Sequence, residues 1–165
     1  MNHTDKLLLL ADSIRDDLRS LQSIREKIMD IHLAIKKENN YGNRMALALT
    51  IHNFYNCIEN IFTAIAAEFG NELAGETGHI DLLKRMKLNR ENIRPAIIDQ
   101  QLFTFLNEVR GFRHVVRHSY DYDLDYRRML LIVDDIEIHY DYLVKKLNAF
   151  IEFIQEQVKR VEGKA

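Results

Sequence analysis

Apolar residues recur every three or four positions along most of the chain, which is the spacing of a single stripe on an α-helix. One such stripe runs through residues 7–35 and a second runs through residues 47–65. Polar residues and a glycine interrupt the pattern at 36–43, and the second stripe stops at Gly70, a residue that commonly ends helices. The first part of the chain is therefore predicted to form two long helices joined by a short connection.

The remaining part of the chain predicts a loop, a short helix and two further long helices. Three glycines within 70–78 indicate the loop, and the amphipathic sequence HIDLLKRMKL follows it. Pro95 suits the first turn of the next helix, whose apolar stripe runs through 98–116. The last stripe runs through 132–158 and predicts a helix that begins near Asp125.

These segments together predict an all-α fold, because no segment shows the alternation of a β-strand. The expected architecture is an antiparallel bundle of four long helices plus a short additional helix, forming a single domain over residues 1–165. Stripes of such regular spacing could also serve a helix-mediated dimer. Bundles host many functions, so the fold alone does not decide the activity.

Composition narrows the classes of function. The chain has 165 residues and a net charge of -2, so any polyanion would have to be met by a local basic patch. The only cysteine, Cys57, excludes a disulfide within the chain and a zinc site of several thiolates. The apolar run at the start is too short for a signal peptide, and no stretch reaches about 20 apolar residues. A cytoplasmic protein without a membrane span is expected.

A local basic patch is present at the end of the third long stripe, in the sequence RGFRHVVRHSY. At about 100° per residue, its cationic and imidazole side chains fall within an arc of about 140° on one side of a helix. The members of this arc are Arg110, Arg113, His114, Arg117 and His118. Val109, Phe112, Val115 and Val116 occupy the opposite side, which we expect to face the core. A solvated basic face is the simplest interpretation of this arc.

The residue types favour a chemical role over a merely solvated face. The arc contains no lysine, and arginine is suited to bidentate contacts with phosphate. Histidine titrates near neutral pH, so it can both accept and donate protons. Arginine with histidine is what metal-free cleavage of RNA requires: a base for the 2′-hydroxyl, an acid for the leaving 5′-oxygen and a cation for the transition state.

The sequence from Arg113 to Tyr120 resembles the R-x4-H-x-Y signature of the HEPN superfamily, specifically the HepT-like toxins of toxin–antitoxin modules. In that family the arginine and the histidine lie at the end of the third long helix of an all-α bundle. The HIDLLKRM segment after a glycine-containing loop is similar to the short helix of the family. One departure is His114, which stands where family members commonly carry Asn or Asp.

The resemblance implies a metal-independent endoribonuclease that acts as a homodimer, needs no cofactor and cleaves RNA, with tRNA as the expected class. Arg113 would bind the scissile phosphate and His118 would transfer protons. The other members of the arc, Arg110, His114 and Arg117, would contact substrate. The implied partner is a minimal nucleotidyltransferase (MNT) antitoxin, which in some pairs transfers AMP to the motif tyrosine, here Tyr120.

Other chemistry in the sequence has weaker support. His114 and His118 could bind zinc with Asp121, Asp123 or Asp125 as a third ligand, but the neighbouring arginines would repel the cation. The aspartates also imitate the start of an EF-hand loop without its glycine and glutamate, so one of them is expected to cap the last helix instead. Glu76 and His79 form an E-x-x-H in the glycine-rich loop, where it does not support a di-iron site.

A second hypothesis belongs to a different functional class. The chain could be a non-catalytic helical module that uses the same basic face to bind a nucleotide or to dock a nucleotidyltransferase. An RNA cleavage assay separates this hypothesis from the ribonuclease.

Overall fold

The computed structural model of the protein describes residues 2–69, 78–118 and 125–163, without the side chains of Val115, Arg117 and His118. Within these ranges the chain forms α-helices joined by short connections, and the only bridge of β type is an isolated one between Arg90 and Arg94. The helices are α1 (His3–Lys37), α2 (Tyr41–Glu68), α3 (Gly78–Met86), α4 (Gln100–His118) and α5 (Tyr126–Glu162). The predicted all-α fold of four long helices and one short helix is confirmed.

Polar side chains cap three of the helices, five to seven residues before their apolar stripes begin. Asn2 forms a capping box with Asp5 at the start of α1, and Asn40 accepts from the amide of Asn43 at the start of α2. Asp125 accepts from the first amides of α5, which confirms the prediction that one of the acidic residues caps the last helix. Such caps satisfy amides that have no partner inside the helix, and each contributes about 1 kcal/mol.

The start of α4 differs from the prediction. Pro95 is not in its first turn, because α4 begins at Gln100. The side chain of Asp99 accepts from the amide of Leu102 at 2.9 Å and so supplies the helix cap. The chain before Asp99 has hydrogen bonds of its own, including one of 2.8 Å from the amide of Ile97 to the carbonyl of Met86. The cap and these bonds together place the helix start five residues after the proline.

Interhelical contacts define the direction of each helix in the bundle. Arg25 of α1 pairs with Glu137 of α5, and Tyr142 of α5 donates to Asp99 at the start of α4. Near the other end of α4, Gly111 lies close to Arg128 in the first turn of α5. Helices α4 and α5 are therefore antiparallel. Helices α1 and α2 are antiparallel as well, since His3 contacts Glu68 and the thiol of Cys57 donates to the carbonyl of Asp17.

The predicted stripes form the core between the helices. Side chains with no solvent exposure come from all four long helices, and they include Ile14, Ile28, Ile51, Ile58, Leu102, Leu106, Leu143 and Leu147. Burying each such side chain contributes about 1.5–3 kcal/mol. Three members of the first stripe, Leu18, Ile24 and Ile31, are only partly buried against this core. None of the helices in the described part of the chain is long and apolar enough to cross a membrane.

Candidate functional site

The basic segment lies in the second half of α4, as its apolar stripe predicts. Val109 and Phe112 are buried, with 0% and 1% of their surfaces exposed, so this side of the helix faces the core. Arg110 is half-buried and His114 is exposed. The helix ends at His118, so the last turn of α4 contains the motif histidine. The side chains of Arg117 and His118, and all of Tyr120, lie outside the described residues.

Arg113 does not project into solvent; its side chain reaches α2. Its Nη1 is 2.8 Å from Oε2 of Glu59, and the two side chains are only 13% and 12% exposed. An ion pair removed from water in this way is screened little by salt, and breaking it would leave an uncompensated charge. The ion pair therefore fixes the position of the Arg113 guanidinium relative to α2.

Tyr55, one turn before Glu59 on α2, forms the floor beneath Arg113. The guanidinium carbon of Arg113 lies 5.6 Å from the centroid of the Tyr55 ring, which is a cation–π distance. Burial, and next the negative charge of Glu59, raise the pKa of Tyr55 above its ordinary value, so the phenol stays protonated at neutral pH. The Nε of Arg113 is buried and has no hydrogen-bond partner in the described part of the chain.

His79, in the first turn of α3, is held at the same carboxylate. Its Nδ1 makes a short contact with Oε1 of Glu59, while Oε2 of that side chain pairs with Arg113. Glu59 thus bridges an imidazole and a guanidinium through different oxygens. His79 stands where the predicted glycine-rich loop meets the predicted short helix, and in the structure it lies within α3, whose packing on α2 brings it to Glu59.

Four side chains line a small depression that we call the arginine notch: His79, Arg110, Arg113 and His114. Its volume is about 40 Å³, which is room for roughly one water-sized group and not for a nucleotide. Arg110 is oriented from its own helix, since its Nε donates to Oδ1 of Asn107 at 3.1 Å. The notch therefore presents cationic and imidazole groups together at one point on the surface, where a single phosphate oxygen could enter and contact them.

Glu59 and His79 are the two members of this cluster that sequence reasoning missed as site residues. A signal for Glu59 was present, because it is the only Asp, Glu, Lys or Arg between Arg44 and Glu68. A lone carboxylate on so apolar a helix must find a partner when it is buried. No comparable signal identified His79, whose approach depends on how α3 packs.

Metal binding was a minor alternative for this region. Among the residues that the structure describes, no group of three or more His, Cys, Asp or Glu side chains is placed to hold a metal ion. Two of the proposed third ligands, Asp121 and Asp123, and also Glu76 of the E-x-x-H, lie outside the described residues. Asp125, the remaining candidate, serves as the cap of α5.

Cys57 is buried, and its thiol donates to the carbonyl of Asp17.

Comparison with known proteins identifies the family. A search of curated proteins and a search of solved structures each found no match. A family model described as HepT-like protein matches residues 46–154, which contain most of α2, all of α3 and α4, and most of α5. The match thus includes Glu59, Arg113 and the motif that first suggested the resemblance. The chain belongs to the HepT-like family of the HEPN superfamily.

Proposed function

We propose that this protein is a metal-independent endoribonuclease toxin whose site is centred on Arg113 and His118. The HepT-like family is a family of HEPN nucleases, which supports a ribonuclease. The observation that carries the proposal is the ion pair between Arg113 and Glu59, since it holds the motif arginine rigidly in a notch lined by other basic groups. Catalysis of phosphoryl transfer depends mainly on such positioned charge.

Arg113 is assigned to the scissile phosphate. A guanidinium has five N–H donors, and one nitrogen of Arg113 is used by Glu59. The N–H groups of its terminal nitrogens that Glu59 does not use can bind phosphate oxygens and stabilise the charge that develops on them in the transition state. Arg110, His114 and Arg117 are assigned to further contacts with the RNA strand.

The reaction itself needs two proton transfers. The 2′-oxygen attacks phosphorus as a base takes its proton, and the bond to the 5′-oxygen breaks as an acid donates a proton to that oxygen. The products are a 2′,3′-cyclic phosphate and a 5′-hydroxyl. His118 is assigned to one transfer. A symmetric homodimer supplies the second imidazole as His118 of the partner subunit, and His79 is a second candidate because the fold holds it beside Arg113.

An RNA cleavage assay tests the proposal. The wild-type protein should cleave RNA in EDTA and leave 2′,3′-cyclic phosphate ends. His118→Ala should lose about 10²–10⁴-fold in rate, and Arg113→Ala about 10²–10³-fold. His3→Ala, which changes an exposed histidine on α1, is the matched control and should cleave normally. Loss of cleavage on chelation, with recovery on adding a divalent metal, would overturn the mechanism.

The source of the second imidazole requires a separate experiment. We expect a homodimer by light scattering at micromolar concentration, with the arginine notches of both subunits lining one cleft. In that case His79→Gln should change the rate much less than His118→Ala. A fully active monomer would overturn the dimeric site, and a large loss in His79→Gln would then assign the second proton transfer to His79.

The antitoxin is the proposed regulator. Members of this family are usually paired with an antitoxin. We assign that role to a minimal nucleotidyltransferase that transfers AMP to Tyr120, because a phosphodiester beside Arg113 would occupy the donors that RNA needs. Intact-mass spectrometry after incubation with the partner, ATP and Mg²⁺ should show AMP on the wild type and on Tyr41→Phe, an exposed-tyrosine control, but not on Tyr120→Phe. Equal modification of all three proteins would refute the assignment.

A non-catalytic binding module is the second candidate. The same ion pair favours it, because a buried salt bridge between α2 and α4 also serves to hold two helices together. Under this alternative the wild-type protein would bind nucleotide or its partner but would not cleave RNA in the assay above.

A further inference from the structure

A second group of arginines lies in the connection between α3 and α4, and we call residues 90–94 the arginine turn. The amide of Arg90 donates to the carbonyl of Arg94 at 3.0 Å, and the amide of Arg94 donates back at the same distance. The turn is completed by Asn92 at φ 62°, a left-handed conformation that asparagine tolerates better than most residues. The reciprocal bonds fix Arg90 and Arg94 opposite each other.

Arg94 is buried with 2% of its surface exposed, yet no carboxylate in the described residues pairs with it. Its guanidinium donates to three main-chain carbonyls of the described chain, those of Arg85 at 2.9 Å, Pro95 at 3.1 Å and Leu88 at 3.3 Å. Burial, and next the charge of Arg90, lower its pKa from the ordinary value. The Nε atoms of both Arg90 and Arg94 are buried without a hydrogen-bond partner in this part of the chain.

Two neighbouring cations without an anion are an unfavourable arrangement for a folded protein. A buried charge normally has a partner of opposite sign, since carbonyl dipoles offset only part of the cost of removing it from water. The carbonyls explain how Arg94 is held, but they do not compensate its repulsion with Arg90. An anion bound beside the turn would do so.

A pocket of about 590 Å³ opens beside the arginine turn, within the range of small-ligand sites. Arg160, in the last turn of α5, adds a third guanidinium to its lining, while Glu91 is the single carboxylate there and is exposed. The lining also includes Phe153, whose ring is stacked on Phe150 with centroids 5.7 Å apart, and the amide of Gln157. The pocket thus offers cations, one fixed aromatic ring and one amide.

We propose that this pocket binds a nucleotide, with its phosphate between Arg90 and Arg160 and its base against Phe153. Arginine forks suit phosphate oxygens, and base–aromatic stacking tolerates any base. An acidic peptide would need only the cations, whereas the aromatic ring and the volume of the pocket fit a base and a sugar as well. Arg94, which also lines the pocket, would add its positive charge while its guanidinium remains bound to the carbonyls.

The pocket is distinct from the arginine notch. No residue lines both sites, and the arginine turn precedes the start of α4, whereas Arg113 lies in the second half of that helix. A nucleotide held between Arg90 and Arg160 is therefore not the group assigned to Arg113. The proposal does not depend on ribonuclease activity, and it would hold equally for a non-catalytic protein.

Calorimetric titration of the full chain with AMP, and separately with inorganic phosphate, tests the proposal. We expect one AMP per chain, with affinity reduced about tenfold or more in Arg90→Gln and in Arg160→Gln through loss of charge-assisted bonds. Phe153→Leu should weaken AMP and leave phosphate unchanged. The control Arg19→Gln alters an exposed arginine on α1 and should bind as the wild type does. Arg94 is not substituted here, because it holds the turn together.

Several results would overturn the proposal. The first is that the protein does not bind AMP. The second is that Arg90→Gln, Arg160→Gln and the control bind AMP with equal affinity. The third is that the pocket binds a glutamate-rich peptide in place of AMP. Arg113→Ala should retain AMP binding, and its loss there would place the nucleotide at the notch instead. In His118→Ala, displacement of AMP by a single-stranded RNA oligonucleotide would identify the ligand as a nucleotide unit of RNA, and retention of AMP would identify a free nucleotide.

Discussion

Two buried arginine side chains, one near each end of α4, differ in the groups that stabilise their charge. At the C-terminal end, Arg113 is paired with the carboxylate of Glu59, which also holds His79. Before the N-terminal end, Arg94 is held by main-chain carbonyls and faces a second cation, Arg90, without a carboxylate partner in the described residues. Arg113 has its counter-charge among the described residues, whereas none of them supplies one for Arg94.

This difference teaches that burial of an arginine does not by itself indicate one role. A carboxylate fixes the charge of Arg113 in place and leaves other donors for a transient ligand, which is suited to catalysis. Carbonyls fix the shape of the arginine turn but leave its charge uncompensated, which is suited to holding an anion. The effects of substitution should differ accordingly, in rate at one end and in stability or binding at the other.

The largest expected effect is on cleavage when Arg113 is changed. Arg113→Ala should reduce the rate by about 10²–10³-fold, and Arg113→Lys by at least about tenfold, because lysine keeps the charge but loses the planar fork. The cleavage rate at saturating RNA measures the effect of both substitutions. The control is Arg25→Ala, which breaks an ion pair between α1 and α5 away from the notch. Full activity in Arg113→Lys would show that charge alone suffices.

Substitution of Arg94 should have the largest effect on the free energy of unfolding. Arg94→Met keeps the volume of the side chain but removes its hydrogen bonds to three carbonyls, of which only that of Arg85 keeps another donor, the amide of Leu88. This loss should lower the free energy of unfolding by about 2–4 kcal/mol. Urea denaturation followed by circular dichroism measures the change. Arg90→Met, which removes no side-chain hydrogen bond of the turn, should cost much less. Equal losses would mean that Arg94 does not hold the turn.

Glu59 provides a more selective change at the notch. Glu59→Gln keeps the shape of the side chain but removes the charge that positions Arg113, so kcat should fall about tenfold while KM for RNA stays the same or decreases. Glu137→Gln disrupts the ion pair with Arg25 and serves as the control. A rise in KM at unchanged kcat would contradict a positioning role for Glu59.

The smallest expected effect concerns Asp99 at the start of α4. Burial acts to raise its pKa, but the hydrogen bonds from the Leu102 amide and the Tyr142 hydroxyl outweigh burial, so the pKa lies below its ordinary value. A depressed pKa means that ionised Asp99 stabilises the fold above about pH 4, and this contribution is lost as pH falls through the folded-state pKa.

Asp99→Asn should therefore lower the free energy of unfolding by about 1 kcal/mol at pH 7, because asparagine still caps the helix but lacks the charge that Tyr142 contacts. Urea midpoints at pH 7 and near pH 3 measure the difference from wild type, which should shrink at the lower pH. Asp134→Asn, at an exposed position on α5, is the control. A difference that grows on acidification would contradict the sign of the pKa shift.

The sequence by itself determined the helices and the location of the motif. A stripe repeated every three or four residues specifies which side of a helix is buried, and this pattern is local, so it placed Val109 and Phe112 in the core. The motif around Arg113 also identified the family. The predicted start of α4 at Pro95 was wrong, since the cap and hydrogen bonds that set it involve residues before and after the proline.

Only the tertiary structure decided which charges meet. Glu59 and Arg113 are separated by 54 positions in the chain, and His79 lies on a third helix, so their contact depends on the packing of α2, α3 and α4. The pocket beside the arginine turn likewise needs Arg160 from the far end of α5. Periodicity in a sequence carries no information about such pairs, because the free energy that selects them arises from contacts between distant segments.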